Sequence, residues 1–238
     1  INSLIKTMKQ FSNNSDILLS NYDCKILRDH FKSSIWWSNK TTQGVEFAAI
    51  PYSITGGQTN ANFYESGKLI GEINFPIPGL HNLSNLTGAI AACRLAGISF
   101  DRLNELICQL KSPMRRFQFR GIWNNRQVVD DYAHHPSEIK ATLDMAKLMI
   151  NSQVSLLPRP PQRIVSVFQP HRFTRTRDFL EDFAKSLLSS DLIILAPIFD
   201  AGETPIDGIN SEVLGNIIKT RNPDSSIYVA NSFNHLIN

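Results

Sequence analysis

From about residue 112 onward, short apolar runs alternate with amphipathic stretches, and this alternation restricts the fold more than any other feature. Phe117–Trp123, Val128–Tyr132, Ile164–Phe168, Leu192–Pro197 and Ser226–Ala230 have the length and β-branched or aromatic content of strands. Helical spacing of apolar residues falls between them, over Ser137–Ile150, Thr176–Ser189 and about Ser211–Thr220. Strands separated by helices pair in parallel through crossovers, so the expectation is an α/β domain with a mainly parallel sheet covered by helices. The stretch 151–162, with Pro158, Pro160 and Pro161, cannot continue a helix and reads as an exposed loop.

The first part of the chain has another character. A helical segment leads to a strand at Ile17–Ser20, a helix at about Asp23–Phe31 and a short strand at Ser34–Trp37. Alternating runs at Val45–Ile54, Ala61–Glu65 and Lys68–Phe75 predict an antiparallel meander, with Ser66-Gly67 where a tight hairpin turn requires it. Two helices follow, about His81–Ala96 and Phe100–Leu110, and Gly97 is placed to end the first in a left-handed conformation. Lys111-Ser112-Pro113 is the expected boundary, dividing the chain into residues 1–111 and 112–238.

A charged fraction of 19% and a net charge of +3 fit a globular chain in water, and no apolar run approaches the roughly 20 residues that span a bilayer. No basic-then-apolar signal segment opens the sequence. Cys24, Cys93 and Cys108 lack metal-ligand spacing and read as thiols of a reducing compartment, the cytoplasm. Placement of charge says more than its sum. Lys147, Arg159, Arg163, Arg172, Arg175 and Arg177 fall in a stretch from Met145 to Arg177 that holds no carboxylate. The arginines punctuate a strand–loop–helix unit, with no basic run or nucleic-acid motif, which favours a small anionic ligand over nucleic acid.

Two junctions concentrate the chemistry. Val128-Val129-Asp130-Asp131-Tyr132 runs into Ala133-His134-His135-Pro136, and Ile164–Phe168 runs into Gln169-Pro170-His171-Arg172-Phe173-Thr174-Arg175-Thr176-Arg177. Ligands of open α/β sheets bind at the carboxyl ends of strands. Asp131 and His134 are candidates for ligand contact, whereas Asp130 and His135 equally suit turn and cap roles; His135 or Ser137 can cap the helix that Pro136 begins. Arg172 and Arg175 share a face if the helix has begun there, and guanidinium groups bind carboxylate or phosphate in bidentate fashion. Their alternative is pairing with Asp178, Glu181 or Asp182, and Arg177 has Glu181 four residues on. In Pro78-Gly79-Leu80-His81-Asn82-Leu83-Ser84-Asn85, Asn82 and Asn85 bring two amides to one helical face, unless Asn82 is an N-cap. Arg115-Arg116 follows the boundary. Phosphate-loop, dinucleotide-fingerprint and zinc patterns are not found in the sequence. From the residues alone the reading stops at an anion-binding α/β domain joined to a second, partial one.

In their order, Pro-Gly-x-His-Asn-x-x-Asn (78–85), Arg-Arg-Phe (115–117) and Asp-Asp-Tyr-x-His-His-Pro (130–136) form a series. Gln-Pro-His-Arg-Phe-Thr-Arg-Thr-Arg (169–177) and Ala-Gly-Glu-x-Pro-x-x-Gly (201–208) complete it. The set resembles the Mur ligases, ATP-dependent amide-forming enzymes of bacterial cell-wall synthesis, over nearly the whole chain from about Leu18. The likeness is greatest to the branch that joins L-alanine to the lactyl carboxylate of UDP-N-acetylmuramate through an acyl phosphate. It implies the latter part of a central ATPase domain for 1–111 and most of a C-terminal Rossmann-like domain for 112–238. It also implies roles. His81 and Asn85 approach adenine, Asn82 supports that helix start, Arg116 faces the phosphates, Asp131 holds the ribose and Tyr132 lies against the base. His134, Arg172 and Arg175 face the incoming amino acid and the acyl phosphate. Leu80 stands where the family carries a basic residue, and Ser112-Pro113-Met114 where it is glycine-rich.

The implied cofactors are ATP and Mg2+, with the phosphate loop and the principal metal ligands expected upstream of Ile1. The start at Ile1 and the close at Asn238, where a helix begins, suggest an interior piece of a longer protein that does not ligate alone. A sibling ligase that reattaches recycled peptide, and a non-catalytic nucleotide- or anion-binding module, are the competing readings.

Overall fold

The computed structural model describes residues 2–152, 154–232 and 234. The helix expected to start at the end of the chain lies outside the described residues. The chain divides into two compact units, Ile1–Lys111 and Ser112–Asn238.

The first unit is built on one mixed sheet. Strands β1 (Leu19–Asn21), β2 (Ile35–Ser38), β3 (Phe47–Ile54), β4 (Thr59–Glu65) and β5 (Lys68–Phe75) lie in sequence order. The pairs β1–β2 and β2–β3 are parallel, and β3–β4–β5 is the antiparallel meander that the alternation predicts. Ser66 and Gly67 both have positive φ, 47° and 78°, the geometry that matches a two-residue turn to the strand twist. Helix α1 (Asn2–Asn13) opens the unit, α2 (Lys25–His30) joins β1 to β2, and α3 (Leu80–Leu95) and α4 (Phe100–Ile107) follow the sheet. Phe63 is fully buried and stacks on Phe100 at 4.8 Å, with Ile73, Leu83 and Phe47 around them. Gly71 makes that approach possible: a Cβ there would sit 2.8 Å from Phe100 Cε1. Gly97 ends α3 at φ 87° as expected, with Ile98 N–H donating to Cys93 O.

The second unit holds a parallel sheet of β8 (Val165–Phe168), β9 (Leu192–Leu195) and β10 (Ser226–Val229), in the order β10-β9-β8. Helices α5 (Pro136–Asn151), α7 (Leu180–Leu187) and α8 (Ser211–Arg221) supply the rest of its core. Phe168, Ile193 and Leu195 pack with Phe183, Leu187, Leu214 and Ile218. The mixed α/β class with parallel-rich sheets is therefore present.

Two expectations need correction. Strands β6 (Gln118–Trp123) and β7 (Arg126–Asp130) are an antiparallel hairpin that does not join the parallel sheet. Asn124 and Asn125, both at positive φ, make a two-residue turn, far too short for a parallel crossover. The single helix expected over 176–189 is two, because Phe179 (φ −121°, ψ 20°) breaks it between α6 (Phe173–Asp178) and α7.

Candidate active site

In the first unit, the start of α3 carries three of the residues in question. Gly79, the N-cap, has φ 103°, and its N–H donates to the buried Thr59 hydroxyl at 3.1 Å. Asn82 is not the N-cap. Its Nδ2 donates back to Pro78 O at 2.8 Å, so it braces the turn that precedes the helix. His81 and Asn85 are exposed and four residues apart, which puts them on one face. Asn82 is thus drawn away from the pair of amides that the three-residue spacing suggested.

In the second unit, β7 ends at Asp130, so Asp131 and Tyr132 belong to the loop before α5 and not to the strand. Asp131 ties that loop to the segment carrying the arginines: its Oδ2 accepts from Phe117 N–H and its Oδ1 from Ala133 N–H, each at 2.8 Å. Tyr132 N–H donates to Arg115 O at 2.8 Å, and the Arg115 guanidinium lies 4.7 Å over the Tyr132 ring. Asp130 faces Arg115 at 3.4 Å. His135 caps α5 and Pro136 takes the first helical position, one of the two arrangements left open by the sequence. Glu138 closes the box from the other side, Oε2 accepting from His134 N–H (3.0 Å) and His135 N–H (3.2 Å). The same carboxylate reaches Arg116 Nη1 at 3.9 Å and His134 Nδ1 at 3.4 Å. Burial works to raise the Glu138 carboxyl, but the His134 N–H and imidazole, the His135 N–H and Arg116 outweigh it and hold it below its ordinary value.

The second loop is shaped by its neighbour at 199–203. Arg172 sits at φ 72° as the N-cap of α6, and its N–H donates to Phe199 O at 2.8 Å. Thr176, fully buried, donates its hydroxyl to Arg172 O. Glu203 accepts from Thr174 Oγ1 at 2.6 Å and Thr174 N–H at 3.0 Å, and lies 4.0 Å from Arg172 Nη1. These Thr174 bonds, against some desolvation and helped by Arg172, hold its carboxyl below the usual range. Arg175 lies inside α6 and has no carboxylate within ion-pair distance among the described residues. Arg177 pairs with Asp178, not with Glu181, which is taken by Arg221.

The two loops are electrostatic neighbours. Burial, Arg175, Arg172 and His134, in that order, push His171 below its ordinary imidazole pKa. Its Nδ1 is enclosed with no hydrogen-bond partner among the described residues.

Residues 115–238 match the family described as Mur ligase, glutamate ligase domain. The chain belongs to the Mur ligase family. It is 53% identical over 236 residues to a UDP-N-acetylmuramate–L-alanine ligase of Prochlorococcus marinus (strain MIT 9303), covering 99% of this chain and 48% of that protein. A Synechococcus (strain CC9605) protein of the same name is 50% identical over 99% of this chain and 50% of its own length. The chain thus spans about half the length of the curated relatives it matches. A UDP-N-acetylmuramate-alanine ligase from Thermotoga maritima shares the fold, with a TM-score of 0.70 at 22% identity over 95% of this chain and 45% of its own. A murein peptide ligase from Psychrobacter arcticus does so at 0.57 and 24%, over 83% and 38%.

Within this Mur ligase chain, His134, Arg172 and Arg175 all act electrostatically on His171, and Glu138 links Arg116 to His134. Sequence reading passed over three residues: Glu138, His171 and Glu203. Glu138 had a signal, the cap-to-third-residue spacing of a capping box; Glu203 stands in the Ala-Gly-Glu-x-Pro-x-x-Gly run, but nothing in the spacing tied it to Thr174, 29 residues away. Among the described residues no group of three His, Cys, Asp or Glu is placed to hold a metal ion, so Mg2+ would find no all-protein cage here. A cavity of about 610 Å³ opens between β7, α5 and β8. Asp131 enters its wall, but His134, Arg172 and Arg175 do not.

Proposed function

We propose that the chain is the nucleotide- and amino-acid-handling part of an enzyme that uses ATP to join L-alanine to the lactyl carboxylate of UDP-N-acetylmuramate, in the bacterial cytoplasm. Residues 1–111 are assigned to the latter part of the central ATP-binding domain and 112–238 to the C-terminal ligase domain. The observation that carries this reading is the cationic loop of Arg172 and Arg175 beside His134, on a chain about half identical to ligases of that name. No helix among the described residues is long and apolar enough to cross a membrane.

Phosphoryl transfer to the lactyl carboxylate gives an acyl phosphate, which the amine attacks; the tetrahedral adduct then expels phosphate and leaves the amide. Charge builds on the phosphoryl and acyl oxygens, and preorganised guanidinium groups stabilise it best where they need not leave other partners. Arg175 meets that condition, and Arg172, with half its side chain exposed and Glu203 at the 4.0 Å limit, nearly does. One of the two holds the alanine carboxylate, leaving the amine free. His134 faces the amine. His81 and Asn85 are assigned to the adenine and Asn82 to the shape of their helix start. Arg116 is assigned to the phosphates, Asp131 to the ribose through the lone pairs its backbone partners leave, and Tyr132 to the base. Mg2+ would be held by residues other than these.

Phosphate release from ATP tests the reading, using the protein extended to its native ends with UDP-N-acetylmuramate and magnesium. Release that requires L-alanine and is not supported by a murein tripeptide is the expected result. Release with tripeptide alone would move the assignment to a peptide-reattaching ligase, the activity named for the Psychrobacter neighbour. No release with either would leave a nucleotide- or anion-binding module. The 238-residue chain has no phosphate-loop motif of its own, and is expected to be inactive in the same assay.

A further inference from the structure

The adjacent histidines of the second unit are held through the same ring atom in opposite senses. His135 Nδ1 is 3.3 Å from Ser137 N, a backbone N–H that can only donate. That ring nitrogen is therefore an acceptor, and the proton of the neutral ring sits on Nε2. Ser137 Oγ, 2.8 Å from the same atom, fits as a second donor. His134 Nδ1 is 2.9 Å from Tyr132 O, a carbonyl that can only accept. Here Nδ1 carries the proton, and Nε2 of the neutral ring keeps its lone pair. Glu138 Oε2, 3.4 Å from His134 Nδ1, is a further acceptor on the protonated side. That carboxylate is itself fixed by the His134 and His135 N–H groups and faced by Arg116.

We propose that Glu138 is a positioning residue which, with the Tyr132 carbonyl, locks His134 in the Nδ1–H tautomer, so that its Nε2 accepts a proton from the incoming amino group, while His135 is locked in the opposite tautomer as a helix cap. The acceptor role of His134 rests on the ligase reading; the tautomers do not. In the step, one ammonium N–H bond breaks and an Nε2–H bond forms. The electron pair freed on nitrogen makes the C–N bond to the acyl carbon as the carbonyl pair moves onto oxygen. When the adduct collapses, that pair returns, the C–O bond to phosphate breaks with its electrons on phosphate, and the second N–H proton leaves with the departing phosphate. The imidazolium so formed has Glu138 against its Nδ1–H and later returns its proton to solvent. His171 is the other imidazole in reach, but Arg175 and Arg172 act on it more strongly than the carboxylate of Glu203 does, and its Nδ1 is enclosed. Neighbouring histidines thus divide the work: one shapes the helix start, the other presents a base held by that same start.

Histidine-selective 15N labelling of the full-length protein reads the tautomers directly, above the pH at which the rings titrate. The expected spectrum has His134 with a protonated Nδ1 and an unprotonated Nε2, and His135 with the reverse. Glu138→Gln keeps an oxygen for the two cap N–H groups, so it should fold. It should let the other His134 tautomer appear and lower kcat about 10- to 100-fold with little change in KM for the nucleotide sugar, and Glu138→Asp should recover part of the loss. His134→Gln should lower kcat at least as far, and His135→Gln much less. His134 found as the Nε2–H tautomer would overturn the proposal whatever the activity. Expected tautomers with equal losses in His134→Gln and His135→Gln would overturn the acceptor role. Expected tautomers in a protein that makes no amide from L-alanine would sink the ligase reading, and the amine with it, while upholding the tautomer assignment.

Discussion

The loop before α5 and the loop before α6 sit side by side in the second unit and are built on contrary principles. In the first, nearly every charge is answered locally: Asp131 by two backbone N–H groups, Asp130 by Arg115, Glu138 by His134, His135 and Arg116. In the second, the Glu203 carboxylate holds Thr174, the Thr176 hydroxyl and the Phe199 carbonyl hold Arg172, and the guanidinium of Arg175 has no carboxylate partner among the described residues. A satisfied loop is a rigid mount. A loop whose cations are not satisfied is a place for a ligand's negative charge. The difference predicts that loss of the bracing carboxylate Asp131 in the first loop acts mainly on folding, that loss of the unpaired cation in the second acts on catalysis, and that His134, mounted on the first loop, is the exception that acts on catalysis.

The largest effect is expected where that contrast is sharpest. Arg175→Ala removes a cation that no carboxylate needs, so the full-length enzyme should lose about 10²- to 10³-fold in kcat/KM for L-alanine. Its unfolding free energy should stay within about 0.5 kcal/mol of the parent. Steady-state kinetics and urea melts on the same sample check both halves, and a large stability loss would break the comparison. Asp131→Ala is the complementary case. Two loop N–H groups lose their acceptor, which costs about 1–3 kcal/mol in the second unit's unfolding transition. Asp131→Asn, with one amide oxygen, should fall between. A variant as stable as the parent would show that the brace is ornamental.

The sequence displayed the contrast only in part. Period-two runs and Ser66-Gly67 announced the β3–β5 meander, and Gly97 announced the end of α3, because each depends on local conformation alone. The length of the Trp123–Arg126 connection held the antiparallel pairing of β6 with β7 in plain view, but the apolar runs alone read as part of the alternating series. The break at Phe179 was hidden: helical spacing continues through it, and the break accompanies the packing of its ring edge-on to His135 and Phe183. The candidate residues themselves were legible as motifs. Their partners were not, since Glu203 reaches Thr174 from another loop and Arg172 takes φ 72°, an unusual backbone state that its side chain does not advertise.

Acid should sharpen the comparison more gently. Glu138 and Glu203 are both held below the ordinary glutamate value in the folded chain. A depressed carboxyl stabilises the fold fully above its unfolded-state pKa, and that contribution is lost as pH falls through the lower, folded-state value. His171 acts in the same sense at higher pH: its charged form is disfavoured on folding, so stability begins to fall as pH drops through the ordinary imidazole range near 6.5. Stability measured from pH 7 to pH 3 should therefore decline in two stages. His171→Gln should flatten the upper stage and Glu138→Gln part of the lower. An unchanged lower limb in Glu138→Gln would mean that the cap does not depend on ionisation.

The smallest effect is expected at Arg177, and it decides whether the motif acts as a block of positive charge or through placed residues. Arg177 lies in the same run as Arg172 and Arg175, but it is half-exposed and answered by its neighbour Asp178. An exposed pair of this kind contributes between zero and about 1 kcal/mol, and it reaches no other loop. Arg177→Ala should leave kcat/KM within about twofold and stability within about 0.5 kcal/mol. Should it instead match Arg175→Ala, the loop would be working as a diffuse field, and high salt would then weaken L-alanine use in the parent as much as the substitution does. If only Arg172 and Arg175 matter, the selection is geometric: Arg172 is turned by its positive φ at the N-cap, and Arg175 stands one turn further along α6.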